Sequence, residues 1–236
     1  MNVKELQQWL NTKGANIVAD GVGGPKTREA FIKVFTNKKA SAVSEGELLE
    51  AAKKLGDTNT KRIKAVAKTE SNGSGYFDSG LVKILWERHY FYKFVGKTIY
   101  LPGYKDHFLS HQQSGGYTTD FNKNNINDSW EKLAAAACIH PDGAFQSISV
   151  GKFQVMGKYY KELGYNHPID MLWAATQGEK AHYDMLVGYI LKVANLKAAF
   201  LRISTNPETC RDFAKGYNGK IYEKYDYHKK IANGMK

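Results

Sequence analysis

The sequence has few cysteines and no long apolar run. Its 236 residues include only two cysteines, Cys138 and Cys210, too few for the disulfide framework of a small secreted scaffold. We expect two buried free thiols, with one bridge possible in an oxidising space. Because roughly eighteen apolar residues in a row are needed to cross a bilayer and nowhere occur, we expect no stable membrane insertion.

Other signals are missing as well. The opening MNVKELQQWLNTKG has no apolar core of signal-peptide length, so we expect the protein to be made in the cytosol. There is no zinc-finger or helix-turn-helix spacing, no internal repeat, and no basic run interleaved with stacking aromatics. These absences argue against a nucleic-acid partner.

The composition is that of a folded protein with an anionic partner. Hydrophobic residues make up 42% of the chain and aromatic residues 13%, which is enough for a core. The formal net charge is +11, so the partner could be nucleic acid, a membrane surface or an acidic envelope polymer. Charge alone does not choose among them.

The pattern of residues divides the chain into two units. Residues 1–38 give two short helical patterns around the glycine-rich turn ADGVGGPKTREAF. A polar stretch, 39–46, follows as a linker, and Ser44 with Glu47 forms a capping box that predicts a helix starting near Glu45. Residues 47–236 form the second unit.

The second unit reads as mostly helical. The periodicity predicts helices over 45–55, 58–70, 129–139, 151–162, 170–194, 196–203 and 207–215, the last ending at Gly216. In the aromatic and glycine-rich stretch 76–128, LVKILWERHYFYKF predicts a strand turning into a helix, and 110–128 predicts a loop. The expected fold class is therefore mainly α, or α+β, with a small irregular or β lobe.

Glu70 stands where a helix would normally carry an apolar residue. Ile63, Val66, Ala67 and Glu70 fall at i, i+3, i+4 and i+7, so the carboxylate continues the apolar stripe. The run SNGSG, which includes Asn72, follows and predicts the end of the helix. An acid in apolar surroundings stays protonated near neutral pH and can protonate a leaving oxygen; the alternative is a partly exposed helix-end glutamate.

Two further segments offer ligand-binding groups but are weak signals alone. In SISVGKFQVMG, residues 147–157, Gly151 allows a close approach of backbone to a ligand, and Gln154 carries both donors and an acceptor. In FAKGYNGKIY, residues 213–222, Tyr217 and Asn218 could stack on and bond to a sugar, although such a turn is often only structural.

Taken in order, these segments resemble a known family. Glu70-Ser71 with the following glycines, Trp86-Glu87-Arg88-His89 with Phe91-Tyr92, SVGKFQVMG and FAxGYNG are similar to the N-acetylmuramidase domain of phage endolysins, within the lysozyme and lytic transglycosylase superfamily. The resemblance covers about residues 48–232. It implies a lysozyme-like, mostly helical catalytic domain that needs no cofactor.

The N-terminal unit resembles the small three-helix peptidoglycan-binding domain that precedes many such catalytic domains. VKELQQWLN matches its first helix, and Asp20, Gly21, Gly24, Pro25 and Thr27 match its turn. The resemblance implies that Asp20, Gly21, Gly24 and Thr27 belong to a cell-wall-binding unit; a purely structural cap is the alternative. Residues 1–38 carry six Lys/Arg against three acids, which suits an anionic wall polymer.

The resemblance also implies roles for individual residues. Glu70 matches the catalytic glutamate, the general acid. Glu87 is the second candidate carboxylate, with an ion pair to Arg88 or a lysine as its structural alternative. Ser149, Gly151 and Gln154 match the substrate-lining segment, and Tyr217 and Asn218 match its far wall. Val150 stands where relatives often carry an aromatic residue.

The function implied is that of an endolysin, an enzyme that cleaves peptidoglycan between N-acetylmuramic acid and N-acetylglucosamine for host cell lysis. A lytic transglycosylase giving anhydro-muramyl products, or a non-catalytic wall-binding protein, remains open. His107 and His111, four residues apart, raise a metal site, but they lack the neighbouring Glu of a zinc protease, and we expect none. We expect a monomer that stays in the host cytoplasm until lysis and then reaches the periplasm or cell wall.

Overall fold

The computed structural model describes residues 1–71 and 73–236. In this part of the chain there are twelve α-helices: α1 (Val3–Thr12), α2 (Pro25–Phe35), α3 (Glu45–Lys54), α4 (Lys61–Glu70), α5 (Arg88–Val95), α6 (Asp128–Ala137), α7 (Pro141–Gln146), α8 (Pro168–Gln177), α9 (Glu179–Gly188), α10 (Lys197–Leu201), α11 (Pro207–Asn218) and α12 (Tyr227–Gly234). The expectation of a mainly α fold is confirmed.

The strands are short and form two small antiparallel sheets among the described residues. They are β1 (Ile84–Trp86), β2 (Ile99–Tyr100), β3 (Phe108–Ser110), β4 (Ile148–Val150) and β5 (Val155–Met156). One sheet has the order β1-β4-β5, and the other pairs β2 with β3. Leu85 lies opposite Ser149, and Ser149 opposite Met156, so β4 is the central strand that holds the candidate sugar-lining segment.

Several local predictions are confirmed. Ser44 and Glu47 form the capping box that starts α3 at Glu45, and β1 leads directly into α5. Helix α4 ends at Glu70, with Ser71 in an extended conformation after it and Gly73 at φ 103°. Asn72 lies outside the described residues.

The predicted helix over 151–162 is wrong. Residues 151–154 form a turn between β4 and β5, and a single 3-10 turn, Gly157–Tyr159, follows. Gly151 at φ 74° and Gln154 at φ 50° take the left-handed conformation, which an α-helix cannot contain. A Cβ at position 157 would lie 2.0 Å from the carbonyl oxygen of Phe145, so Gly157 packs directly on α7.

Two further helix predictions are wrong, one because the helix is interrupted and one because it ends later. The segment 170–194 is not one helix, because Gly178 adopts an extended conformation and pairs with Ser41, which separates α8 from α9. A π-helical turn, Tyr189–Val193, continues α9. Helix α11 does not end at Gly216 but runs on through Tyr217 and Asn218, which places both side chains on a rigid helix end.

Residues 1–38 contain two helices, α1 and α2, instead of the three expected of the N-terminal unit. The connection between them turns at Gly14, Asn16 and Gly21, all with positive φ. Phe35 on α2 is fully buried and its ring lies 5.7 Å from that of Trp130 on α6. The N-terminal unit therefore shares its core with the remainder of the chain.

The larger cluster of the core extends from α1 to α12, and a small second cluster contains Leu101, Leu109 and Ala135. Trp130 lies inside the larger cluster, and its indole N–H donates to the Val82 carbonyl at 2.8 Å. None of the helices in the described residues is long and apolar enough to span a membrane.

Candidate active site

Glu70 occupies the last turn of α4, with the buried stripe of Ile63, Val66 and Ala67 behind it. Helix α12 packs along the same helix, because Gly234 allows its backbone to approach Ala65: a Cβ there would lie 2.9 Å from the Ala65 Cα. The carboxyl group is thus placed at the end of a tightly packed helix pair, partly buried.

Burial raises the pKa of Glu70 to about 7. The hydrogen bond from Asn218 and the charge of Lys230 favour the ionised form and oppose this rise, but burial outweighs them. Near neutral pH a substantial share of the carboxyl groups therefore carries a proton. This is the state that a general acid requires.

Helix α11 supplies the group that holds Glu70 in place. The side-chain amide of Asn218 donates to Oε1 of Glu70 at 3.0 Å. The preceding residue, Tyr217, stacks on Phe213 with ring centroids 5.7 Å apart, and its hydroxyl donates to the Phe153 carbonyl at 3.3 Å. Burial, and then the nearby charge of Glu70, raise the pKa of Tyr217 well above its usual value.

The turn between β4 and β5 forms the other side of the site. The Ser149 hydroxyl donates to Oε1 of Gln154 at 2.6 Å, and the Gln154 amide donates to the carbonyls of Gly151 at 2.8 Å and Lys83 at 3.2 Å. These bonds hold Gln154 in its strained left-handed conformation. Ser149, Gly151 and Gln154, predicted to line the substrate site, thus lie together at this turn, and their role in binding stays a prediction.

Tyr217 connects the two sides of the site, since it neighbours Asn218 in α11 and bonds to the residue before Gln154. A cleft is lined by Phe153, Gln154 and Tyr217 together with residues of the 3-10 turn. The carboxyl group of Glu70 is held by Asn218, the residue that follows Tyr217.

A buried ion pair fixes the loop that follows Glu70, and sequence reasoning missed it. Oε1 of Glu179, at the start of α9, accepts a hydrogen bond from the Gly75 N–H at 3.1 Å and lies 3.3 Å from the Lys152 ammonium. Lys152 also donates to the Gly73 carbonyl at 2.8 Å. Both side chains are buried, with exposed fractions of 14% for Lys152 and 9% for Glu179.

His182, on the same face of α9, completes this anchor. Its Nδ1 accepts from the backbone N–H of Lys152 at 3.1 Å, and its Nε2 lies 3.0 Å from the Ala175 carbonyl. Burial lowers the pKa of His182, so the neutral form with the proton on Nε2 fits both contacts. A Cβ on Gly75 or Gly151 would collide with this ring.

Glu87 lies apart from the contacts that surround Glu70. It is the residue before α5, and its carboxylate accepts from the Tyr117 hydroxyl at 2.9 Å and lies 3.3 Å from Nδ1 of His89. Arg88, the partner considered from the sequence, instead donates to the carbonyls of Gln113 and Ser114. These contacts hold the 110–127 segment against the start of α5.

Three of the four candidate residues of the N-terminal unit bond to one buried glutamine, Gln7. The Gln7 amide donates to Oδ1 of Asp20 at 3.0 Å and to Oγ1 of Thr27 at 3.1 Å, and Gly21 N–H donates to its Oε1 at 2.8 Å. Gly24 is the N-cap of α2. Asp20, Gly21 and Thr27 therefore stabilise the loop itself.

The two histidines considered as a metal site each pack against the ring of a phenylalanine. His107 stacks on Phe121 at 3.6 Å between ring centroids, and His111 packs against Phe108. No group of three or more His, Cys, Asp or Glu in the described residues is arranged to hold a metal ion. Cys138 and Cys210 are both free, and burial raises the pKa of Cys138 to about 11.

Comparison with protein families identifies the family of this chain. The family model of the N-acetylmuramidases matches residues 59–236, well over half of the chain. This chain belongs to the N-acetylmuramidase family. The muramidase is thus a glycoside hydrolase that acts on peptidoglycan, as the sequence predicts, and Glu70, the 151–154 turn and Asn218 all lie within the matched region.

A solved structure is similar over nearly the whole muramidase chain. The crystal structure of the Burkholderia AP3 phage endolysin has 25% sequence identity and a TM-score of 0.68, and the match covers 99% of this chain and 92% of that one. The search of curated proteins found no match. The structural similarity includes residues 1–58, which precede the family match.

Proposed function

We propose that this muramidase is an endolysin that lyses its host bacterium by cutting peptidoglycan between N-acetylmuramic acid and N-acetylglucosamine, with Glu70 as general acid. The observation that carries the proposal is a partly buried carboxyl group with a pKa of about 7 that is held by Asn218. The similarity to a phage endolysin supports the role in lysis.

The geometry at Glu70 assigns the proton to one oxygen. Since Oε1 accepts the Asn218 hydrogen bond, the acidic proton resides on Oε2. Glu70 donates this proton to the glycosidic oxygen as the bond from that oxygen to the muramyl C1 breaks, which leaves an oxocarbenium-like centre. The Asn218 amide and the Lys230 charge favour the ionised form of Glu70, so they stabilise the carboxylate that proton transfer produces.

The second step decides between hydrolysis and transglycosylation. In hydrolysis a water molecule adds to C1 and Glu70 takes back a proton, which gives a reducing muramyl end. In transglycosylation the muramyl 6-hydroxyl adds instead and gives an anhydro end. We propose hydrolysis, which is the activity of the family, with Glu87 as the second carboxylate to be tested.

Mass spectrometry of the fragments released from purified peptidoglycan tests this proposal. Fragments are compared before and after borohydride reduction, for the wild type and for Glu70→Gln. Muramyl ends that gain two hydrogens, and that disappear with the variant, are expected. Anhydro ends would establish a transglycosylase, and intact glycan strands with the wild type would favour a non-catalytic wall-binding protein.

For the N-terminal unit we propose binding to the cell wall. Support comes from its basic balance of six Lys/Arg against three acids and from Val18 and Val22, which flank Asp20 and Gly21 with exposed fractions of 77% and 67%. Exposed apolar side chains beside a rigid turn are typical of a ligand-binding surface.

The test keeps the chain whole and removes only this surface. Val18→Ser with Val22→Ser is made in the Glu70→Gln protein, and binding to purified sacculi is measured by sedimentation. Ile139→Ser is the matched control, because Ile139 is also exposed. Weaker binding only in the double variant is expected; equal binding of all three proteins would make residues 1–38 a structural cap.

We further infer that the protein acts as a monomer, without nucleic acid or a cofactor. We propose that it stays in the host cytoplasm until lysis and then acts in the periplasm or on the cell wall. Fractionation of infected cells before and after loss of membrane potential tests this location, and early recovery from the periplasm would contradict it.

A further inference from the structure

A cleft that contains Lys158 lies next to the residues that hold Glu70. Its volume is about 150 Å³. Its lining includes Tyr90, Gln154, Lys158, Tyr159 and Tyr217. Tyr217 links the cleft to Glu70, because the next residue of α11, Asn218, bonds to the Glu70 carboxyl group.

Three of the tyrosine rings that line the cleft are in contact with one another. Tyr217 meets Tyr189 edge to face, with centroids 5.3 Å apart, and Tyr189 meets Tyr159 in the same way at 5.7 Å. Rings fixed by their neighbours offer flat apolar surface with a polar tip at each hydroxyl. Such a surface suits a pyranose ring, which has apolar C–H faces and a polar rim.

Lys158 is held at a defined place in this cleft. It is the middle residue of the 3-10 turn that Gly157 anchors on α7. Its ammonium donates to the Tyr90 hydroxyl at 3.1 Å and lies 4.6 Å from the Tyr90 ring centroid and 4.9 Å from that of Tyr159. Contacts with ring faces orient a cation without neutralising it.

Lys158 retains its charge, and it forms no ion pair with a carboxylate among the described residues. Burial lowers the pKa of Lys158, but the hydrogen bond to Tyr90 and the nearby phenol groups outweigh it and leave the pKa above its usual value. It differs in this respect from the lysines that form ion pairs with carboxylates in the described residues: Lys54, Lys64, Lys152, Lys180 and Lys229.

We propose that this cleft is a subsite for the acid-bearing sugar of the substrate, and that Lys158 binds the carboxylate attached to it. The proposal rests on the proposed function, which makes a glycan the ligand. In peptidoglycan a carboxylate near the muramyl ring has two sources: the 3-O-lactyl group where no peptide is attached, and the peptide stem where one is. An ammonium has three donors, and a donor that the tyrosine hydroxyls do not use can bond to either carboxylate.

Binding measurements on a cleavage-deficient protein test the subsite. Calorimetric titration of Glu70→Gln uses two pairs of soluble glycan oligomers of equal length. One pair is peptide-free, with lactyl carboxylates either free or converted to methyl amides; the other bears peptides, with their carboxylates either free or amidated. The two members of each pair have the same number of sugars, and one carries charged carboxylates where the other carries neutral amides.

Adding Lys158→Met should weaken binding of a carboxylate oligomer by about tenfold, which corresponds to roughly 1.4 kcal/mol, and should leave its amidated partner unchanged. An effect on the peptide-free pair assigns the lactyl carboxylate, and an effect only on the peptide-bearing pair assigns the stem. Lys158→Arg should keep most of the preference, because it keeps the charge.

Lys161→Met is the matched control. Lys161 lies three residues further on, is exposed, and has its ammonium 5.7 Å from the Tyr160 ring. The proposal is overturned if Lys158→Met changes both members of each pair equally or neither member, or if Lys161→Met causes the same loss. These binding results are independent of cleavage, so failure of the proposed reaction appears separately in the wild-type fragment analysis.

Discussion

The amide of Asn218 lies 3.0 Å from Oε1 of Glu70, although the two residues are 148 positions apart in the chain. This contact joins the end of α4 to the end of α11, and it leaves Oε2 as the oxygen on which we propose the proton. Burial keeps that proton in place near neutral pH, and Asn218 and Lys230 moderate the effect. The balance of these forces sets the pH range in which Glu70 can act.

Removing the charge of Lys230 should extend activity to higher pH. Since Lys230 lowers the pKa of Glu70, Lys230→Met raises it, and the protonated acid then persists further into the alkaline range. We expect the alkaline limb of the kcat/KM profile to move upward. Lys229→Met is the control, because Lys229 pairs with Asp226 at 2.8 Å. A limb unmoved by Lys230→Met, or moved equally by both variants, would contradict this electrostatic account.

Glu70→Gln should stabilise the fold increasingly as the pH rises from 4.5 to above 7. The pKa of Glu70 is raised from 4.5 to about 7 on folding, so its burial is free of penalty below pH 4.5 and fully penalised once the pH has passed 7. The difference corresponds to roughly 3 kcal/mol at most. Urea unfolding should give equal stabilities at pH 4 and a more stable variant at pH 8.

Glu47→Gln provides a comparison of opposite sign. Hydrogen bonds from the Ser44 backbone and hydroxyl lower the pKa of Glu47, so its contribution is present at neutral pH and disappears as the pH falls. That variant should be less stable than the wild type at pH 7, with a smaller difference in acid. A Glu70→Gln protein that behaves in the same way would show that Glu70 is not buried as an acid.

The ion pair between Glu179 and Lys152 should contribute both to the stability of the fold and to the turnover of substrate. Glu179→Ala leaves the Lys152 ammonium and the Gly75 N–H without their partner, and we expect a loss of roughly 3 kcal/mol. Because Gly73 and Gly75 follow Glu70 closely, kcat should fall more than KM rises.

Asp212→Ala is the control, because it breaks the exposed pair with Arg202. It should lower the free energy of unfolding by less than about 1 kcal/mol. Equal losses of stability in Glu179→Ala and Asp212→Ala would show that the Glu179 pair contributes no more than an exposed ion pair.

The shared core predicts that residues 1–38 unfold together with the rest. Phe35 contacts Trp130, Phe145 and Trp173, so Phe35→Ala should destabilise the whole chain by roughly 3–5 kcal/mol. Phe94→Ala, at a ring that is 39% exposed, should have a much smaller effect. The measurement is urea unfolding followed by both fluorescence and circular dichroism. Two separate transitions, only one of them shifted, would indicate an independent N-terminal domain.

The sequence predicted what short-range patterns determine. The placement of Glu70 follows from the apolar spacing of Ile63, Val66 and Ala67 within one helix, and the start of α3 follows from Ser44 and Glu47. Both depend on residues at most seven positions apart. Local chemistry is sufficient in such cases.

Short-range sequence patterns do not predict contacts between residues that are far apart in the chain. The carboxylate of Glu179 meets Gly75 across 104 positions, and nothing near either residue indicates the partner. The 151–162 segment was misread because its spacing of apolar and aromatic residues also fits a helix, whereas the positive φ of Gln154 depends on bonds from Ser149 and to Lys83. Tertiary contacts there override the local preference.

The measurement that tests the central claim most directly is the rate of cleavage of purified peptidoglycan by the wild type, Glu70→Gln and Glu87→Gln, with binding to the same sacculi measured in parallel. The account predicts that Glu70→Gln binds normally but is slower by at least about a hundredfold, and that Glu87→Gln, whose partners are Tyr117 and His89, loses less than about tenfold. Cleavage by Glu70→Gln at close to the wild-type rate would contradict it.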